Sequence, residues 1–136
     1  MEDFPHRVTE TVRFRDVDLN GHVNNAVIAT FFEAGRVDIN RLRTQDLVPA
    51  GMSWMLVRVA IDYKAEINWP GTVEVATAVA RLGKSSVTYA QALFFEGRCA
   101  ATAEAVSVLV DLATRRSVEI PADLREHYSR WLEVKD

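Results

Sequence analysis

A chain of 136 residues has room for one domain and not for two, and at that length folding hides roughly two thirds of the surface, enough for a core without staples. Its 49% hydrophobic and 26% charged content excludes a disordered chain, and 16 Lys and Arg against 19 Asp and Glu, a net charge of -3, exclude a uniformly basic nucleic-acid binder. The single cysteine, Cys99, excludes an internal disulfide, and no zinc-ligand spacing is present.

Met1 to Arg7 has no positive segment followed by an apolar one, and no apolar run nears the ~20 residues of a membrane span. A cytoplasmic protein without membrane contact is expected. The first alternating stretch, Val8 to Arg15, sets Val8, Val12 and Phe14 on one face and Thr9, Thr11, Arg13 and Arg15 on the other, which predicts a strand with one wet face. It runs into the turn formers Asp16-Val17-Asp18-Leu19-Asn20-Gly21-His22, where Gly21 takes a positive φ cheaply.

A helix follows. Asn24 or Asn25 serves as N-cap, with Val23 stapled onto Ile28, and Ile28, Phe31, Phe32, Gly35, Ile39 and Leu42 recur at helical spacing. Its wide apolar arc predicts a helix wrapped by a sheet. Gly35 costs about 1 kcal/mol against Ala at a mid-helix position, which predicts close approach to a neighbouring backbone. Glu33 and Arg36, three apart, are expected to pair with each other. Thr44 to Ser53, with Pro49 and Gly51, reads as a loop.

From Met55 to Trp69 the alternation is unbroken, with Met55, Val57, Val59, Ile61, Tyr63, Ala65, Ile67 and Trp69 on one face, so one long strand is expected. Pro70-Gly71 turns the chain into a strand over Thr72 to Arg81, whose Ala76, Ala78 and Ala80 face leaves space for a bulky neighbour. Ser86 to Glu96 and Arg98 to Asp111 are the next strands, and Pro121 to Trp131 is a short C-terminal helix. The order strand, helix, four strands and a short helix is α+β, a five-stranded antiparallel sheet packed around one long central helix, in one domain over residues 1–136.

The segment between first strand and helix holds the residues with chemical potential. Asp16, Asp18, Asn20 and Gly21 match the start of an EF-hand loop, but position 12 is Val27 and a strand precedes the loop, so calcium is excluded on that pattern. From spacing alone, these aspartates and asparagines read first as cap and turn formers. The alternative is a carboxylate beside the positive end of a helix, where free N–H groups hold an oxyanion and Asp18 acts on the same carbonyl.

The run Phe14-Arg15-Asp16-Val17-Asp18-Leu19-Asn20-Gly21-His22-Val23-Asn24-Asn25-Ala26, followed by Phe31-Phe32-Glu33-Ala34-Gly35-Arg36, resembles the signature of hotdog-fold acyl-CoA thioesterases of the 4-hydroxybenzoyl-CoA thioesterase type. Ile61-Asp62-Tyr63-Lys64-Ala65, the Arg81 to Val87 turn and Ile120-Pro121 extend the resemblance over nearly the whole chain. The resemblance implies hydrolysis of an acyl-CoA to free acid and CoA, without metal or redox cofactor. Asp18 is then the catalytic carboxylate, as nucleophile or general base. Backbone amides around Asn25 hold the thioester oxygen, with Asn24 in support. It also implies a homodimer or homotetramer with shared sites, in which Gly51 to Trp54 approach a partner's Asp18. The chain departs from the family at Val27-Ile28, where many members carry an aromatic pair position, which bears on the acyl pocket.

His22 either assists proton transfer or bonds the loop backbone. Gly83, Lys84, Ser85 and Ser86 either meet the phosphates of CoA or form an ordinary hairpin turn. Two rival functions stand beside hydrolysis. A non-catalytic acyl-CoA-binding or sensing module uses the same fold. A hotdog dehydratase would need a His-centred pattern that does not surround His22.

Overall fold

The computed structural model describes residues 4–42 and 47–132, with the side chains of Arg41 and Leu42 excepted. Five strands form one antiparallel sheet: β1 (His6–Val12), β2 (Met52–Tyr63), β3 (Gly71–Leu82), β4 (Ser86–Phe95) and β5 (Arg98–Asp111), in the order β1-β3-β4-β5-β2. Short turns keep β3, β4 and β5 as sequential neighbours, whereas β1 and β2, separated by the helical excursion, take the two edges. The helices are α1 (Asn25–Val37), which passes into a π-helical stretch over Asp38–Leu42, and α2 (Ala122–Ser129). Among the described residues no helix is long and apolar enough to cross a membrane.

α1 lies on the valine face of the sheet. Ile28, Phe31 and Phe32 meet Val73, Val75, Leu93 and Phe95 in one buried cluster, with Val23 in the same cluster as Ile28, as a staple requires. A second cluster gathers Ile39, Val79, Tyr89, Leu109, Leu124 and Tyr128 under α2. Each large side chain so buried contributes about 1.5–3 kcal/mol of transfer free energy. Ala76 and Ala78 face away from α1, and the space expected beside them is not where the helix packs. The helix needs the deeper relief that valine, leucine and phenylalanine offer to Phe31 and Phe32.

Four expectations are corrected by the packing. A Cβ on Gly35 would lie 2.7 Å from Thr77 Oγ1, 2.9 Å from Val75 Cγ1 and 3.1 Å from Gln91 Nε2, so the glycine makes way for side chains and not for backbone. Arg36 turns inward, donating to Gln91 Oε1 at 2.9 Å, and exposed Glu33 acts on its guanidinium through charge and not as its hydrogen-bond acceptor. The first strand stops at Val12, since Phe14–Asp16 tighten into a 3-10 turn. The helix is 13 residues of α-helix followed by five of π-helix, shorter as regular helix than its apolar periodicity suggests. The wider turn brings Asp38 to His6 at 2.6 Å and Asn40 to both Tyr89 and Tyr128.

The strand expected over Met55 to Trp69 is divided twice. A bulge between Leu56 and Arg58 shifts the pairing, so Trp54 opposite Leu109 and Ile61 opposite Ala103 share the helix-side face while Met55 does not. At its end, Lys64 N and Ala65 N both donate to Ala100 O, at 2.8 and 3.1 Å, and the ladder is exhausted. Residues 64–68 then cross toward the Asp16–His22 loop, where Val23 N donates to Ile67 O at 2.8 Å and His22 bridges to Asn68.

Candidate active site

The two aspartates of the loop have opposite fates. Asp16 is only 1% exposed and accepts from Arg13 N at 2.8 Å and Arg13 Nη2 at 3.0 Å, while its own carbonyl receives Asn24 N at 2.9 Å. Burial, the largest single influence, pushes its carboxyl upward. The Arg13 hydrogen bonds and the Arg13 and Arg15 charges together outweigh it, and the group titrates below the ordinary carboxylate value. Asp16 is spent on holding the loop.

Asp18 is exposed. Its backbone N donates to His22 O at 2.9 Å and its carbonyl accepts Gly21 N at 3.0 Å, a tight turn that needs the φ of 81° at Gly21. Oδ1 accepts Asn20 N at 2.9 Å and His22 N at 3.3 Å, which orients the carboxylate; Oδ2 has no partner among the described residues.

The start of α1 faces the same space. Asn24 is the N-cap, with its side chain accepting Ala26 N at 2.8 Å and its carbonyl accepting Val27 N and Ile28 N at 2.9 and 3.2 Å. That leaves the Asn25 N–H, alone in the first turn, without a partner among the described residues. A groove of about 390 Å³ runs along this rim, lined by Asp18, His22, Asn25, Tyr63, Lys64 and Glu66, with Val23, Ile28, Ala65 and Ile67 as its apolar floor. Such a groove seats an apolar chain and leaves a polar head between a carboxylate and a backbone donor. Among the described residues no three His, Cys, Asp or Glu side chains gather as a metal site.

Residues 12–128 match the family described as the thioesterase-like superfamily. The chain belongs to that superfamily. No protein of curated function matches the sequence. Solved structures of similar chains agree with the family. The PA5185 protein from Pseudomonas aeruginosa is 32% identical with a TM-score of 0.89, over 99% of this chain and 96% of that one. A predicted thioesterase from Bacillus stearothermophilus is 28% identical with a TM-score of 0.88, over 96% and 98%. A thioesterase from Thermus thermophilus, solved with coenzyme A and Zn, is 32% identical with a TM-score of 0.79, over 94% of each chain. The five-stranded antiparallel sheet with its helices is thus that of a hotdog thioesterase, and thioester hydrolysis is the activity this superfamily membership supports.

Within this thioesterase-like frame, Asp18, His22 and Asn25 line the groove and Asn24 caps the helix beneath them. The other candidates lie at the opposite end of the sheet in the same chain. Met52 pairs with Asp111 and Ser86 with Val108, whereas Tyr63 pairs with Ala101 near the groove. There Gly51 O accepts Leu112 N at 2.8 Å, and Trp54 packs edge-on against Tyr128 with ring centroids 5.3 Å apart. Gly83 N donates to Ser86 O at 2.8 Å, Lys84 O accepts Ile120 N at 2.9 Å, and Ser85 O accepts Leu109 N at 2.8 Å. Arg125 adds donors to the Gly83 and Lys84 carbonyls, so this turn is tied to the segment leading into α2. Sequence reasoning missed Tyr63, Glu66 and Asn68, because unbroken alternation reads as strand; the turn formers Asn68, Pro70 and Gly71 were the available signal that the strand ends early.

Proposed function

We propose that this protein hydrolyses an acyl-CoA thioester to a free carboxylic acid and CoA, as a hotdog enzyme of the 4-hydroxybenzoyl-CoA thioesterase type acting in the cytoplasm. One observation carries the reading: the open oxygen of Asp18 and the unpartnered Asn25 N–H border one groove with an apolar floor. The acyl chain lies on Val23, Ile28 and Ile67 with its carbonyl oxygen toward Asn25 N–H. Asp18 either draws a proton from the water that attacks the carbonyl carbon, or attacks it itself to give a mixed anhydride that water then hydrolyses. On both routes the oxyanion is held by the helix start, the C–S bond breaks as the carbonyl re-forms, and the departing sulfur takes up the proton that water gives. Asn24 supports the oxyanion donor by fixing the first turn, and His22 assists proton transfer. A solved relative that holds coenzyme A supports a CoA thioester as the substrate class.

The working unit is a homodimer or a homotetramer with shared sites. Along the β2 edge, Met55, Leu56, Val57, Val59 and Tyr63 are 41–59% exposed, a long apolar strand with an open ladder, which is costly to leave in water. Antiparallel pairing of β2 with β2 of a second copy sets the Met52 end of one against the Tyr63 end of the other. Gly51 and Trp54 of one subunit then reach the Asp18 groove of the other. In that arrangement the Gly83, Lys84, Ser85 and Ser86 turn offers charge and hydroxyl donors to the CoA phosphates.

A thiol-release screen across acyl-CoA chain lengths and aromatic acyl groups tests the activity, with Asp18→Asn as the paired variant. Release that persists at the wild-type rate in Asp18→Asn overturns the assignment of Asp18. Micromolar acyl-CoA binding with no thiol release by the wild type would instead identify a non-catalytic binding module. Val57→Lys places a charge on the open edge and is expected to yield folded monomer by light scattering, with lowered thiol release; an unchanged oligomer would rule out pairing along β2, and a monomer with full activity would rule out the shared site.

A further inference from the structure

We propose that Glu66 and Asn68 are positioning residues that hold His22 in the one tautomer able to accept a proton in the groove; the proposal rests on the thioester-hydrolase reading above. His22 Nδ1 lies 3.1 Å from Asn68 Oδ1 and 3.4 Å from Glu66 Oε2, and a backbone bridge between His22 and Asn68 keeps the two segments in register. An amide can present oxygen or nitrogen to a ring nitrogen, so Asn68 alone is compatible with either tautomer. The Glu66 carboxylate is an acceptor only. With both groups on Nδ1, that nitrogen carries the hydrogen and donates it, and Nε2 keeps its lone pair.

Nε2 has no partner among the described residues, and His22 lines the groove beside Asp18, with Tyr63, Lys64 and Glu66 on the facing segment. The loop is closed by Asp18 N donating to His22 O at 2.9 Å, which ties the imidazole's backbone to that of the carboxylate. Thioester hydrolysis moves one proton that needs such a group. As the water oxygen bonds to the acyl carbon, water gives up a proton; as the C–S bond breaks, the departing sulfur gains one. On the general-base route Asp18 draws the first from water and hands it to Nε2, which returns it as the second, leaving acid, thiol, carboxylate and neutral imidazole. An Nε2–H tautomer has no lone pair on the one ring nitrogen left without a partner and fails at the transfer to it. Glu66 and Asn68 touch no reacting atom and act through His22.

The test separates this idea from the broader reading. Imidazole 15N NMR on the whole protein, with His22 assigned through His22→Gln, is expected to show the Nδ1–H form in the wild type. In Glu66→Gln combined with Asn68→Ala, the ring is expected to shift to a mixture or to Nε2–H. The kcat for thiol release is expected to fall at least about tenfold with KM within about twofold. Glu66→Gln combined with Asn68→Asp returns an obligate acceptor to the same nitrogen and is expected to restore both signals. A wild-type ring already in the Nε2–H form, or a Glu66→Gln, Asn68→Ala variant with wild-type kcat, overturns the proposal. Full activity in Asp18→Asn overturns the role of Asp18 alone, and absence of thiol release by the wild type sinks the hydrolase assignment instead. If no acyl-CoA releases thiol, the tautomer and its rescue by Asn68→Asp still decide whether the pair holds His22.

Discussion

At the α2 end of the sheet the hydroxyls of Tyr89 and Tyr128 both donate to Asn40 Oδ1, at 2.5 and 2.6 Å, and Gln91 links Arg36, Phe32 O and Thr77 Oγ1 within 3.0 Å. At the α1 N-terminal end, Asp18, His22 and Glu66 lie along an open groove, each with hydrogen-bonding capacity left over. Burial is the leading influence in the first region, pushing both phenols well above their ordinary value and Arg36 below its own. Polar groups satisfied inside a low-dielectric core fix one packing and cannot react. Polar groups held on one side only, at a wet rim, retain an atom for chemistry. On the proposed function, stability is built at one end of the molecule and catalysis at the other.

The sharpest way to break that division is Asp18→Asn, expected to lower thiol release by about 10²–10⁴-fold while thermal melting stays within ~1 kcal/mol of wild type. A large loss of stability would mean that Asp18 belongs with the structural network. The reverse pattern is expected at the other end. Gln91→Leu strands the buried Arg36 guanidinium and costs about 3 kcal/mol by denaturant unfolding, with the folded protein's turnover unchanged. Gly35→Ala pushes a methyl into Thr77 and Val75 and costs about 1–3 kcal/mol by the same measurement.

Asp16 sharpens the comparison because it belongs to the same loop as Asp18 yet behaves like the buried region. Its folded pKa is lowered, so the stabilisation it contributes is present above the unfolded value near 3.8 and is lost as pH falls through the folded value. Asp16→Asn should cost about 1–2 kcal/mol at pH 7, and the variant's unfolding curves should converge on those of the wild type in strong acid. A difference that persists unchanged at low pH would count against ionisation as its source. The smallest effect is expected from Tyr128→Phe, about 1 kcal/mol, since Asn40 keeps Tyr89 as a partner.

Much of this frame is legible residue by residue. The alternation of Val87, Tyr89, Leu93 and Phe95 identifies the buried face of β4, and Asn24 before an apolar periodic run marks the helix cap. The Arg98 to Asp111 stretch forms a strand despite its run of alanines, because β4 on one side and β2 on the other supply ladder partners that outweigh helix propensity. The bulge at Leu56/Arg58 leaves no mark in the alternation of Met55 to Tyr63, and the inward turn of Arg36 cannot be separated from an exposed pair with Glu33 by spacing alone.

Local sequence by itself determined the order of the elements, the turn at Gly21 and the capped helix start, since each depends on interactions within a few residues, while the candidate status of Asp18 came from the resemblance carried by the run from Phe14 to Ala26. Tertiary structure alone decided which aspartate is buried and which exposed, that the β2 alternation ends at Tyr63, and that Glu66 and Asn68 come to His22 across 44 and 46 positions of chain. Those outcomes depend on where a ladder runs out of partners and which side chains fill the space beneath a helix, and such competition is settled between distant segments.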